Sequence, residues 1–271
     1  MIKIVTCDMD ETLLGTGGKI SDEDKKSIAK LKDFGVKFVP SSGRNFISID
    51  KTLKELNLYE KENEFVISFN GGVITENKNH KVLFFQGISF DLAAEFYKRG
   101  LNYDVCIHVY TQDEVYVYNL VEHERKYLEG RMAVKEIFDR DINFLKGQNI
   151  VKCLYMNTDA DYLRKIADDL KDITGDVDVS YSANRYLEFN KLGVTKGAGL
   201  KMLAEILNVD VKDTMAIGDN FNDLAMIKAA GVGVCVGNGA DEVKKNADYV
   251  CRATCDENAV TEALNKFIFD V

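Results

Sequence analysis

Short runs of continuously apolar residues, IKIVTC, VKFVPS and FVISFN in the first third and TMAIGD and VGVCVG in the last, alternate with stretches patterned for helices. Strands that are apolar on both faces need helices on both faces, and strand–helix–strand order makes neighbouring strands parallel. The chain is therefore expected to be α/β, with a doubly wound parallel, Rossmann-like core. The helices are expected from Ser21, through a Ser-x-x-Asp capping box to Asp24, near 45–57, and over 195–207, 221–229 and 240–246, with one more at the terminus.

The texture changes between those segments. DVCIHVY and EVYVYNL, separated by the polar TQDE, read as an antiparallel hairpin. IVKCLYMN, a helix over 159–172, VDVSYS and RYLEFN continue an α+β pattern. A chain of 271 residues has length for roughly two domains. The expected division is a core from 1–86 and 190–271 with an inserted α+β domain over 87–189, hinged at QGIS (86–89) and NKLG (190–193).

A formal charge of −9 argues against general binding to nucleic acid or anionic membranes. No basic leader and no apolar run of ~20 residues is seen, so a cytoplasmic location is expected, as a monomer or small homo-oligomer. The six cysteines are scattered and His80, His108 and His123 have no metal-ligand spacing, so structural roles are expected for all of them.

The chemistry lies at the strand ends. TCDMDETLL puts Asp8, Asp10 and Glu11 directly after the first strand, and alternation sends Asp8 and Asp10 to one side and Glu11 to the other. VPSSGR finishes a second strand at Ser41 and Ser42, and TMAIGDNFND a third at Asp219, with Asp223 just beyond. Ligands of open parallel sheets bind at the carboxyl ends of the strands. Carboxylates gathered there repel one another unless a cation intervenes, and Mg²⁺ is the natural hard, oxygen-seeking ion. Lys196 at a helix start is mildly unfavourable on its own, which suggests that an anion or carboxylate holds it.

DMDET (8–12), SSGR (41–44), TKG (195–197) and GDNFND (218–223), in this order over residues 4 to about 262, resemble the haloacid dehalogenase superfamily, and within it the Cof-type phosphatases with a large α/β cap. The resemblance implies a Mg²⁺-dependent hydrolase of phosphate monoesters of small metabolites, sugar phosphates or a phosphorylated cofactor, working through an aspartyl-phosphate. Asp8 would be the nucleophile and Asp10 the general acid and base. Ser42, Gly43, Arg44, Lys196 and Asn222 would meet phosphate or substrate, with Thr12 beside them fixing the nucleophile loop. Asp8, the Asp10 carbonyl and Asp219 would hold the metal, with Asp223 close by. The family usually has Gly where this chain has Glu11, which reflects a demanding backbone angle there or close approach of the cap.

Two other readings share the fold: a phosphomutase, which passes the phosphoryl group to substrate instead of water, and a phosphoryl-accepting signalling module. The inserted domain and Asp10 favour catalysis. Bland roles remain open for several residues: a turn or helix cap for Ser42, a bridge between surface carboxylates for Arg44, a tight turn for Asn70 and Gly71 as against a meeting with the inserted domain, an exposed strand-end pair for Arg185 and Glu188, and a packed sheet face for Tyr116 and Tyr118. The inserted domain is expected to close over the strand ends and read the leaving group.

Overall fold

Every residue of the first strand, β1 (Ile4–Asp8), is buried, including its final carboxylate. In the computed structural model, which describes residues 1–270, the chain continues through α1 (Asp22–Lys30), β2 (Lys37–Ser41), α2 (Asp50–Glu55), β3 (Phe65–Ser68), β4 (Val73–Glu76) and β5 (Lys81–Phe85). A second unit, Phe85–Val194, holds α3 (Phe90–Gly100), β6 (Cys106–Thr111), β7 (Val115–Tyr118), α4 (Glu122–Leu128), β8 (Lys135–Ile137), β9 (Ile150–Met156), α5 (Ala160–Asp169), β10 (Val177–Ser182) and β11 (Tyr186–Lys191). From Thr195 the chain rejoins the first unit with α6 (Lys196–Ile206), β12 (Thr214–Gly218), α7 (Leu224–Ala229), β13 (Val232–Cys235), α8 (Asp241–Lys244), β14 (Tyr249–Val250) and α9 (Ala259–Leu264).

The first unit is built on one sheet of order β14-β13-β12-β1-β2-β3-β4-β5. All pairings from β14 to β3 are parallel, so β1 lies inside the sheet between β12 and β2. The sheet is not wholly parallel, because β4 turns back antiparallel to β3. Ile4 packs with Leu203 and Ala204 of α6. Alternation puts Asp8, four residues on, on the same face. That geometry aims the last side chain of β1 at the start of α6.

The capping box expected at Ser21 is half formed. Ser21 Oγ accepts the Asp24 backbone N–H at 3.0 Å, but the Asp24 carboxylate does not return the bond. It is fully buried and accepts both the backbone N–H and the hydroxyl of Thr261, each at 2.8 Å. Asp24 thus ties α1 to α9 across 237 residues of chain instead of closing its own helix end.

The second unit has a six-stranded sheet of order β10-β11-β9-β6-β7-β8. The expected hairpin is present as antiparallel β6 and β7. One face packs on α3 and α5 through Phe96, Leu163, Ile166, Val109, Tyr155 and Phe189, with Tyr116 and Tyr118 against the same cluster. Phe96 and Phe189 stack with ring centroids 4.1 Å apart. β11 runs to Lys191, so this unit extends beyond residue 189. Arg185 and Glu188 are not an exposed pair. Glu188 is buried against Lys152 at 2.5 Å, and Arg185 Nε lies 3.4 Å from the buried Glu124. His108, between these groups, is fully buried; burial first and the nearby Lys152 second push its imidazole down to about 3, which keeps it neutral.

All six cysteines are buried free thiols. Among the described residues no helix is long and apolar enough to cross a membrane. The Asp24 arrangement yields a stability test. Thr261→Val leaves a buried carboxylate short of a donor and should cost about 1–3 kcal/mol in urea denaturation, whereas Ser21→Ala should cost about 1 kcal/mol. Equal, sub-0.5 kcal/mol effects of both would contradict the assignment (roughly the range of neutral surface changes).

Candidate active site

Thr195 caps α6 by accepting the Ala198 N–H at 3.1 Å, which makes Lys196 the first helical residue. Its ammonium is fully buried, contacts Asp8 Oδ1 directly and lies 2.6 Å from Asp223 Oδ1. The carboxylate expected to hold Lys196 at an unfavourable helix start is thus a pair of carboxylates. Burial alone would pull the lysine down, but the charges of Asp8 and Asp223 outweigh it and hold the ammonium above its usual range.

Asp223 is engaged on both oxygens. While Oδ1 meets Lys196, Oδ2 accepts the backbone N–H groups of Asp219 and Asn220, each at 3.0 Å. This is a capping box with Asn220 at the turn after β12. Asp223 is completely buried and is absent from the walls of the cavity in front of it. Asp219 faces that cavity, and one of its oxygens accepts the Thr12 hydroxyl at 2.8 Å. Thr12 is fully buried, so it braces Asp219 and lines no part of the cavity.

The cavity is open and about 290 Å³, lined by Asp8, Asp10, Glu11, Ser42, Gly43, Arg44, Asp219, Asn220 and Asn222. Seven of these nine were expected from the sequence. Asp10 does share the cavity with Asp8, but strand alternation stops at Asp8 and their partners differ. Asp10 is half exposed and its carboxylate is gripped by Arg44, with Nε 3.0 Å from Oδ2 and Nη2 on Oδ1. Ser42 Oγ accepts the Arg44 backbone N–H at 3.1 Å; a hydroxyl accepting in this way still has its own proton to donate.

Glu11 and Asn220 were not expected at the cavity. Glu11 lines it instead of facing away. Its φ of 60° is the left-handed angle that a glycine would take easily and that costs another residue roughly 1–2 kcal/mol. Its carbonyl accepts Asn238 Nδ2 at 2.7 Å, which braces the turn. The signal for Asn220 was in the sequence, as an Asn three residues before an Asp at a strand end, the pattern of a helical N-cap.

Asp8, Asp219 and Asp223 each offer an oxygen within 4.8 Å of the others. Three carboxylates against one ammonium leave the site short of positive charge. Burial pushes Asp8 up most strongly, Lys196 opposes it, and Asp223 adds to it, giving about 7. Burial also raises Asp219, against the Thr12 hydrogen bond and helped by Asp223 and Glu11, to about 6.

A family model described as haloacid dehalogenase-like hydrolase matches residues 5–264, and the chain belongs to that family. It is 29% identical to the 5-amino-6-(5-phospho-D-ribitylamino)uracil phosphatase YcsE of Bacillus subtilis, over 98% of this chain and 96% of that one. A haloacid dehalogenase-like hydrolase from Bacteroides thetaiotaomicron superposes with a TM-score of 0.86 at 28% identity, covering 99% of this chain and all of that chain. TM0651 from Thermotoga maritima gives the same TM-score at 25% identity over 98% of each chain. The chain is accordingly an enzyme, a phosphatase of the haloacid dehalogenase type.

The raised Asp8 carries a pH prediction for chelator-treated protein. Its folded value of about 7 lies above the unfolded 3.8, so the folded state binds the extra proton between these limits and loses stability as pH rises through them. Asp8→Asn has no such proton to lose. Its thermal stability relative to wild type should therefore increase from pH 4 to pH 8; a difference that stays constant across that range would show that Asp8 is not raised.

Proposed function

We propose that this phosphatase hydrolyses monoesters of small phosphorylated metabolites through an aspartyl-phosphate on Asp8. The observation that carries the reading is the buried Lys196 ammonium fixing Asp8 at the end of a central parallel strand, facing a cavity lined by Ser42, Gly43, Arg44 and Asn222.

The site also fits a divalent cation. Its donors are hard oxygens, two of its carboxyls are pushed up by burial and by the neighbouring Asp223, and one lysine cannot balance three carboxylates. Asp8 and Asp219, which face the cavity, and the Asp10 carbonyl would hold Mg²⁺, with Asp223 behind them positioning Lys196. Bound there, the ion would offset charge on the phosphoryl oxygens and keep Asp8 ionised.

Lys196 holds one Asp8 oxygen and leaves the other to attack phosphorus. Asp10 gives its proton to the departing alkoxide, then takes one from the water that attacks the phosphorus of the aspartyl-phosphate, releasing inorganic phosphate and freeing Asp8. Ser42 and Asn222 donate to the phosphoryl oxygens, whose charge spreads over three equatorial positions. To act as an acid, Asp10 must exchange its Arg44 partner for the leaving oxygen, and the substrate's phosphoryl group is the anion that draws Arg44 away.

A panel of phosphorylated metabolites with phosphate release as the readout tests the reading and separates hydrolysis from transfer to substrate. Asp8→Asn should lower kcat by at least about a thousandfold, since the amide is a poor nucleophile; retention of a tenth of wild-type kcat would remove Asp8 from that role. Asp10→Asn should lower kcat/KM, which reports the steps up to departure of the leaving group, far more for an alkyl phosphate than for p-nitrophenyl phosphate, whose leaving group needs no proton. Equal losses in kcat/KM would contradict the acid assignment.

Exhaustive chelation should abolish turnover, Mg²⁺ should restore it, and Ca²⁺ should restore it poorly because it prefers larger, looser coordination. Full activity in protein shown by elemental analysis to hold no metal would overturn the metal assignment.

A further inference from the structure

β3 ends in the turn Phe69-Asn70-Gly71, whose three residues all have positive φ, at 50°, 54° and 98°. Left-handed backbone at a bulky residue such as Phe69 is uncommon and persists only when the surroundings enforce it. The enforcing contacts run to the loops that build the active site. Phe69 N–H donates to the Arg44 carbonyl at 3.0 Å and Asn70 N–H to the Ser42 carbonyl at 2.9 Å. A Cβ on Gly71 would lie 2.1 Å from the Thr195 carbonyl, so this turn also abuts the helix start that carries Lys196.

The Asn70 side chain completes the set. Its Oδ1 accepts from Asn222 Nδ2 at 3.4 Å. Its carboxamide also fills the space beside Gly43, where a Cβ would come within 3.2 Å of the oxygen and 3.3 Å of the nitrogen. One carboxamide therefore spans two cavity-lining loops, one after β2 and one after β12. Asn tolerates the left-handed angle, and its side chain reaches both loops; glycine would meet only the first need.

We infer that Asn70 is a positioning residue for phosphoryl binding, holding Asn222 and the Ser42–Arg44 loop at their mutual spacing. This deepens the phosphatase reading and rests on it for its kinetic consequence. Groups that bind the phosphoryl unit alike in substrate and product affect KM and product inhibition together and kcat less.

Asn70→Gly keeps the backbone angle and removes the carboxamide. It should raise KM for p-nitrophenyl phosphate and Ki for inorganic phosphate together by about tenfold, with kcat changed less than about threefold. Its loss should be smaller in an Asn222→Ala background, because part of the effect of Asn70 passes through its contact with Asn222. KM and Ki within twofold of wild type, or a loss that adds fully to that of Asn222→Ala, would overturn the inference. Should Asn70→Gly prove too unstable to assay, Gly43→Ala presses a methyl on the same carboxamide and should give the same paired rise; an unchanged KM and Ki there would count against it equally. A wild-type enzyme that neither hydrolyses monoesters nor is inhibited by phosphate would sink the phosphatase reading alone. The Gly43 amide and Asn222 side-chain amide resonances in ¹H–¹⁵N spectra would then decide Asn70's part: shifted in Asn70→Gly they support it, unchanged they refute it.

Discussion

A fully buried ammonium organises the half of the core that holds the acidic cluster. Stripping a lysine of water costs several kcal/mol unless carboxylates stand in for the lost hydration, and Asp8 and Asp223 supply that replacement. The fold must therefore bring the start of α6 against the end of β1 and the turn after β12. Small residues permit the approach: a Cβ on Gly197 would fall 2.3 Å from the Ala225 carbonyl, and one on Gly199 2.8 Å from the Gly71 Cα. The run TKGAG thus provides a cap, a charge and two places where backbone can touch backbone. Asp223 serves the same end twice, since the carboxylate that receives Lys196 also fixes the turn that presents Asp219.

The parts of this arrangement legible in the sequence are those in which one residue type has one physical outlet. A strand buried on both faces has to be apolar throughout, so β1, β2, β3, β12 and β13 announced themselves, and an acidic or hydroxyl residue closing such a run has to stand at its carboxyl end. β4 and β5 were not legible because β4 follows β3 after a turn with no α-helix between them, which breaks the strand–helix alternation, and because β5, at the sheet's edge, is only partly buried. The side-chain partners were the harder part. Asp24 follows Ser21 at the spacing of a capping box, yet Thr261, distant in sequence and near in space, offers it two donors in place of one. Asp10 alternates with Asp8 on paper, but the strand has ended, and the guanidinium of Arg44 decides where its carboxylate points.

Glu11 shows the converse. The chain keeps a left-handed angle at a position where its family usually has the residue that takes such an angle freely, and it does so with its carbonyl tied to Asn238, whose own oxygen accepts the Cys255 N–H at 2.8 Å. The turn after β1 is therefore held by tertiary hydrogen bonds, and its shape depends less on local preference than the signature alone would suggest. The same side chain brings one more negative charge to the rim of the cavity, where it helps to raise Asp219.

Lys196 and Asp8 are 188 residues apart, and β12, which covers one edge of β1, comes later still. During synthesis at about 5–20 residues per second, the first strands leave the ribosome some 10–40 s before the lysine does. Through that interval β1 can pair with β2 but shows its other edge to any strand that passes, and Asp8 has no ammonium to meet. The whole inserted unit is made in the meantime. A nascent or truncated chain ending before Thr214 thus carries an open central edge and an unfinished charge cluster at one place, and neither is completed until the last third of the chain arrives.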